Sequence, residues 1–216
     1  MTTPHSTPVI DIEASGFGLE SFPIEIGLVL PNGAIYCALI KPHSSWTHWD
    51  KRAEKIHGIT RYEINNHGKD IASVCDDLNA LCDGQVLYTD CWSHDYHWLC
   101  RLYAAAGKHC SFRLSPIEYL LSEQQMQTWA QRKKDYALQS DIKTHRALND
   151  ALIIAEALDR ELLMTGSRID NLKLAQSASR KNNTASTIAQ EEIYSRSTKS
   201  MNKLDLLHTS HYKKIA

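Results

Sequence analysis

Asp11 and Glu13 stand two residues apart in the run Val9-Ile10-Asp11-Ile12-Glu13. In a strand, side chains alternate between faces, so both carboxylates point the same way and Ile10 and Ile12 point the other way, into a core. Packing gives no reason to set two carboxylates side by side on an apolar strand. A divalent cation does, because Mg²⁺ and Mn²⁺ take carboxylate oxygens. Such a pair calls for further ligands, and two later segments offer them. Asp90 or Asp95 follows the short apolar run Val86-Leu87-Tyr88, and His145 precedes Asp150, with four residues between, at the head of the longest helical pattern.

The elements that must carry these residues are legible from periodicity and turn chemistry. Residues 8–14 read as a buried strand, and Phe22 to Leu30 as a second. Pro31-Asn32-Gly33 signals a hairpin, from which Ala34 to Ile40 returns as a third strand. Residues 43–69 read as irregular, apart from a short helix from Asp50 to Ile56 and an N-cap at Thr60. Apolar positions at 71, 74, 78 and 81 give helical spacing from Asp70 to Leu81. A short strand at 86–89 follows, then a helix capped by Ser93 and running to Ala106, where Gly107 stops it. Ser115-Pro116 reads as an N-cap and first-turn proline opening a helical stretch to about Ala137, broken near Ser122. The last helix, Arg146 to Met164, buries Ala147, Ala151, Ile154, Ala155, Leu158 and Leu162, and Asp150 falls on that stripe. A carboxylate there costs stability unless a cation meets it. A meander followed by alternating strands and helices means α/β with a mixed sheet.

Composition narrows the class. With 216 residues, 43% of them hydrophobic, the chain fits one domain with an appendage, or one large domain. A net charge of −1 supplies no global field for coating nucleic acid, so any polyanion binding must be local. After Gly166 the composition turns to Ser, Asn, Thr and Lys. Nine cations face four acids over 167–216, a net +5, which leaves −6 for the rest. This segment reads as a basic extension, partly helical or disordered. The six cysteines form no CxxC pair and read as reduced thiols, so His94 and His97 gain no partner for a zinc site. No leader pattern and no apolar stretch of about 18 residues is visible, so the expectation is a cytoplasmic protein with no membrane association.

Five segments carry a family likeness. They are Asp11-Ile12-Glu13-Ala14-Ser15-Gly16, Pro23-Ile24-Glu25-Ile26-Gly27, His57-Gly58-Ile59-Thr60, Asp95-Tyr96-His97-Trp98-Leu99 and His145-Arg146-Ala147-Leu148-Asn149-Asp150-Ala151. In this order, spread over residues 8–164, they resemble the DEDDh family of 3′→5′ exonucleases. That family includes the proofreading subunit of bacterial DNA polymerase III, ribonuclease T and oligoribonuclease. The sister branch carries a tyrosine where Arg146 stands, and family members often carry Asn where Cys91 stands.

The resemblance implies a ribonuclease-H-like fold, a mixed sheet of about five strands flanked by α-helices. It implies an exonuclease domain over 1–166 that removes nucleoside 5′-monophosphates from the 3′ end of single-stranded DNA or RNA. Asp11, Glu13, Asp95 and Asp150 would hold two Mg²⁺ or Mn²⁺ ions, with Asp90 the alternative to Asp95. His145 would be the general base. Two ions about 3.5–4 Å apart activate a water and clamp the attacking and leaving oxygens, and histidine is the side chain that ordinarily takes up a proton near neutral pH. Ser15, Gly16 and Phe17, with His57 and Ile59, would line the pocket of the terminal nucleotide. Phe17 is a base-stacking platform or a plug beneath its loop, and Trp92 is a second stacking candidate. Arg132-Lys133-Lys134 is a solvated helix face or a phosphate track. The likeness leaves open a homodimer, a polymerase partner bound through the tail, and a catalytically silent interaction module.

Overall fold

The structure is a computed structural model that describes residues 5–164. The basic extension expected over 167–216 lies outside the described residues. The first three strands are β1 (Val9–Ala14), β2 (Pro23–Val29) and β3 (Ile35–Leu39), an antiparallel meander. The hairpin between β2 and β3 closes with Leu30 N–H donating to the Ala34 carbonyl at 2.9 Å. Then β4 (Val86–Thr89) joins the free side of β1 in parallel, and β5 (Arg113–Pro116) adds in parallel to β4. The order β3-β2-β1-β4-β5 makes a mixed five-stranded sheet with β1 at its centre.

Six α-helices flank it: α1 (Lys51–His57), α2 (Arg61–His67), α3 (Ile71–Cys82), α4 (Trp92–Ala106), α5 (Glu123–Ser140) and α6 (Ala147–Met164). This is the ribonuclease-H-like α/β arrangement expected. One face of the sheet packs Ile10, Ile12, Ile24, Ile26 and Leu28 against Val74 and Leu78 of α3 and Leu99 and Leu102 of α4. On the other face, α6 lies across β1 and β2 and α5 packs against α6. All six expected apolar positions of α6 are buried.

Four local expectations need correction. Residues 61–67 form α2, held by a capping box between Thr60 and Glu63. Only Ile64 of this helix is fully buried, so it leaves no period to read. Ser115-Pro116 does not open an α-helix but ends β5, and only a single 3₁₀ turn, Ile117–Tyr119, follows. There β5 is an edge strand, where a proline without an N–H is tolerated. The cap of α5 is Ser122, whose capping box with Gln125 does what Ser115 was expected to do. Ser93 does not cap α4, which starts one residue before it; Cys91 holds the cap position without a side-chain capping bond. Finally, α6 starts at Ala147 rather than Arg146.

The approach of α6 to the sheet depends on Gly27. It pairs with Asp11 across β1 and β2, on the sheet face that α6 covers. A Cβ at this position would lie 2.2 Å from the Ala147 carbonyl carbon and the Leu148 nitrogen. Those are backbone atoms of the first turn of α6, which cannot yield as a side-chain tip can. Overpacking of this kind costs about 1–3 kcal/mol and occasionally more. Gly27→Ala is therefore expected to lower stability by at least about 3 kcal/mol in a urea titration; an unchanged midpoint would show that α6 can ride up without loss.

Candidate active site

Because β1 and β4 run parallel, with Val9 opposite Tyr88, Asp11 comes level with Asp90 just past the end of β4. The outgoing connections of the two strands leave in opposite directions, β1 to β2 and β4 through α4 to β5. Crevices at such strand ends are where α/β sheets place their sites. Asp95 stands in the first turn of α4, 1% exposed, and accepts a hydrogen bond from the Thr89 hydroxyl at the end of β4. Asp150 and His145 arrive from the start of α6 and the loop before it. Donor atoms of Glu13, His145 and Asp150 lie within 4.8 Å of one another. Asp11, Asp90, His145 and Asp150 line one cavity of about 780 Å³, together with Lys133 and Lys134 of α5.

The backbone at the head of α6 is bent to make this possible. His145 has φ of 63°, one of two non-glycine residues in the left-handed region among the described residues. Such a backbone costs about 1–3 kcal/mol and persists where its surroundings impose it. Here the turn brings the His145 N–H to Asp150 Oδ2 at 2.9 Å. The next link was not foreseen from sequence. Glu25, paired with Glu13 across the strands and 1% exposed, accepts the Ala147 N–H at 2.9 Å. It also takes Arg146 Nε at 3.0 Å, so the carboxylate caps α6 and pins the arginine beside His145. The signal was in the quoted segments, since both residues belong to them.

A second unforeseen link is Asp90. Its Oδ2 accepts Trp129 Nε1 at 3.0 Å and is ion-paired with Lys133 Nζ. Trp129 and Lys133 are four apart on α5 and present one face. The run Arg132-Lys133-Lys134 is thus not simply a solvated face. Lys133 turns into the cavity, while Arg132 pairs with Glu161 of α6.

The other expected residues are spread around this centre. Ser15 and Gly16 are buried and Phe17 is 66% exposed. Ser15 Oγ accepts the Phe22 N–H at 3.1 Å and meets His48 Nδ1 at 3.2 Å, so it ties the loop together. Gly16, with φ of 150°, makes its close approach to the 48–50 segment: a Cβ would lie 2.7 Å from His48 Cε1 and 2.8 Å from Asp50 Cβ. Phe17 packs edge-on to His94, centroids 5.5 Å apart, and its exposure rules out a plug. His57 and Ile59 are buried, and the Ile59 N–H donates to His57 Nδ1 at 3.0 Å. The proton of His57 is then on Nε2, a buried atom with no partner among the described residues. Trp92 stacks on Tyr96, centroids 5.0 Å apart, and donates to the Leu114 carbonyl.

The electrostatics are those of crowded carboxylates. Burial, then Asp95, Asp150, Glu13 and Asp90, push the Asp11 carboxyl well above the usual range. Burial does the same to Asp95, with Asp90 and Glu13 adding to it against the Thr89 hydrogen bond. Burial, Asp150 and Glu25 push Glu13 up to about 7, and burial also raises Asp150. An array of oxygen donors that resists ionisation in its own company fits a hard divalent cation, whose charge would reverse each of these shifts.

No protein-family profile and no curated protein matches the chain. Solved structures do. Escherichia coli exonuclease I in complex with a 5cy-dT13 oligonucleotide superposes with a TM-score of 0.59 at 12% identity, over 78% of this chain and 43% of that one. The zinc-ion-bound form of the E. coli exonuclease I–ssDNA complex gives 0.56 at 13%, over 78% and 42%. A moderately thermophilic exonuclease I from Methylocaldum szegediense gives 0.55 at 15%, over 72% and 40%. The chain spans about two fifths of the length of these proteins, and at such identity the likeness is one of fold.

Raised carboxyls make a definite statement about stability. Glu13 titrates near 7 in the fold against an ordinary 4.5. Between those values the native state holds a proton that the unfolded chain has lost, so stability falls as pH rises through the window. Asp11, Asp95 and Asp150 act in the same direction. His57, lowered from 6.5 by burial, opposes them, but only below about its ordinary value. In chelator, the thermal midpoint is expected to be higher near about pH 6 than near about pH 8, and Mn²⁺ is expected to remove most of the difference. A midpoint that rises with pH in chelator would contradict this.

Proposed function

We propose that this chain is a metal-dependent 3′→5′ exonuclease that shortens single-stranded nucleic acid from its 3′ end and releases nucleoside 5′-monophosphates. The observation that carries this reading is the convergence of Asp11, Glu13, Asp95, Asp150 and His145, drawn from β1, α4 and the head of α6, on one sheet end. Asp11, Glu13, Asp95 and Asp150 would hold two Mg²⁺ or Mn²⁺ ions. When bound, such ions supply the positive charge that phosphoryl oxygens need and ease deprotonation of water. Asp95 is the third acid rather than Asp90, because Asp90 is committed to Trp129 and Lys133.

The chain's own groups then divide the work. His145, exposed at the cavity mouth and set on a turn closed onto Asp150, takes the proton of the attacking water on an imidazole nitrogen. Arg146 and Glu25 fix the turn that carries it. Phe17, exposed beside His94, offers a face on which the terminal base stacks. The single-stranded oligonucleotides named with the exonuclease I structures support the choice of substrate. The unit that acts is residues 1–166; the basic segment that follows is an addition to it.

The test is an end-labelled assay. Single-stranded DNA and RNA of one sequence, labelled at the 5′ end, are incubated with the protein in Mg²⁺, in Mn²⁺ and in chelator. A ladder that shortens from the 3′ end with metal, and is absent in chelator, is expected; the faster substrate identifies the preferred sugar. Asp11→Asn and His145→Ala are each expected to lose at least about a hundredfold in rate while staying folded. Near-normal rates in both variants would sink the assignment.

A further inference from the structure

Resting on that metal-dependent reading, we infer that Lys133 is the resident counter-ion of the acidic cluster, and that divalent ions must compete with its ammonium for the cavity. Lys133 is therefore a positioning residue that holds metal affinity down. It comes from α5, an element that supplies none of the acids. Its Nζ is paired with Asp90, whose side chain is 9% exposed, and its own side chain is 31% exposed. It lines the same cavity as Asp11, His145 and Asp150. Its ammonium favours the ionised forms of Asp95 and Asp150, and against the burial of the lysine, Asp90, Asp11 and Asp150 in turn keep it protonated. Arg146, the cation at the head of α6, is committed to the buried Glu25 on the strand. Lys134 and Lys143 also line the cavity, and among the described residues it is Lys133 that is ion-paired with an acid at this sheet end.

A lysine suits this role better than an arginine. Its charge is compact and sits on a flexible four-carbon stem, so it can withdraw along the cavity wall when a stronger cation enters. Asp90 is the anchor from which it is held in reach. Without metal, Lys133 offsets part of the repulsion that burial and crowding impose on the four acids. With metal, it adds repulsion to each arriving ion. A unit charge acting on a divalent ion across roughly 8 Å, even with the dielectric of water, is worth about a fivefold change in affinity.

The experiment is Mn²⁺ binding without substrate, followed by the electron paramagnetic resonance signal of free Mn²⁺. Lys133→Met is expected to bind Mn²⁺ at least about fivefold more tightly than the unaltered protein. Lys133→Arg, which keeps the charge, is expected to stay within about twofold. Circular dichroism checks each fold; if Lys133→Met unfolds, Lys133→Gln, which retains a donor to Asp90, gives the same reading. A merely structural lysine predicts the opposite sign, because loosening α5 would scatter the ligands and weaken binding. Equal or weaker binding by the neutral variants, with the unaltered protein still binding Mn²⁺, overturns the inference and leaves the nuclease reading intact. Absence of Mn²⁺ binding in every protein overturns both.

Discussion

Asp11 stands in the field of four other carboxylates, Asp95, Asp150, Glu13 and Asp90, at the centre of the sheet. In water such groups would separate. Here each is held by an element with its own reasons for being there: β1 by Ile10 and Ile12 in the core, α4 by Leu99 and Leu102, and α6 by its buried apolar stripe. The apolar burial of three elements outweighs the repulsion of the acids those elements carry. That imbalance makes the sheet end a receptor for positive charge, and the surrounding structure is best understood as the means of keeping it in place.

Two ion pairs do much of this. Glu25 and Arg146 bind the head of α6 to β2, and Asp90 and Lys133 bind α5 to the end of β4. The first joins an acid of the sheet to the turn before α6 and the second joins one to α5, so each neutralises one charge while fixing one wall of the cavity. In both pairs the acid is buried and the cation part-exposed, so the pair adds little net stability, while loss of the cation leaves a buried carboxylate uncompensated. Their contribution is geometric. Gly27 belongs to the same design, because its missing side chain is the room into which the first turn of α6 fits.

The sequence was informative where chemistry and periodicity coincide. The alternation in β1, the stripe in α6 and the spacing of His145 and Asp150 point Asp11, Glu13, His145 and Asp150 toward one site, and the meander followed by alternating elements implies the mixed sheet that is found. It was silent where a feature depends on a contact distant in sequence. Glu25 reads as one polar residue in an apolar strand until Arg146, 121 positions later, meets it. Lys133 reads as one cation in a basic run until Asp90 does. Short elements were also lost: α2 buries a single residue fully, and β5 is four residues long with a serine and proline that mimic a helix start. The loop at Ser15 and Gly16 shows a third limit. Its residue types suited ligand contact, yet the nearest atoms belong to His48 and Asp50, a constraint that only packing reveals.

The most direct measurement is X-ray diffraction from crystals soaked in Mn²⁺, recorded where manganese scatters anomalously. The account predicts anomalous peaks at the end of β1, in contact with carboxylate oxygens of Asp11, Glu13, Asp95 and Asp150. Peaks elsewhere, or none beside Asp11 in a lattice that leaves the cavity open, would contradict it and leave the crowded acids without a purpose.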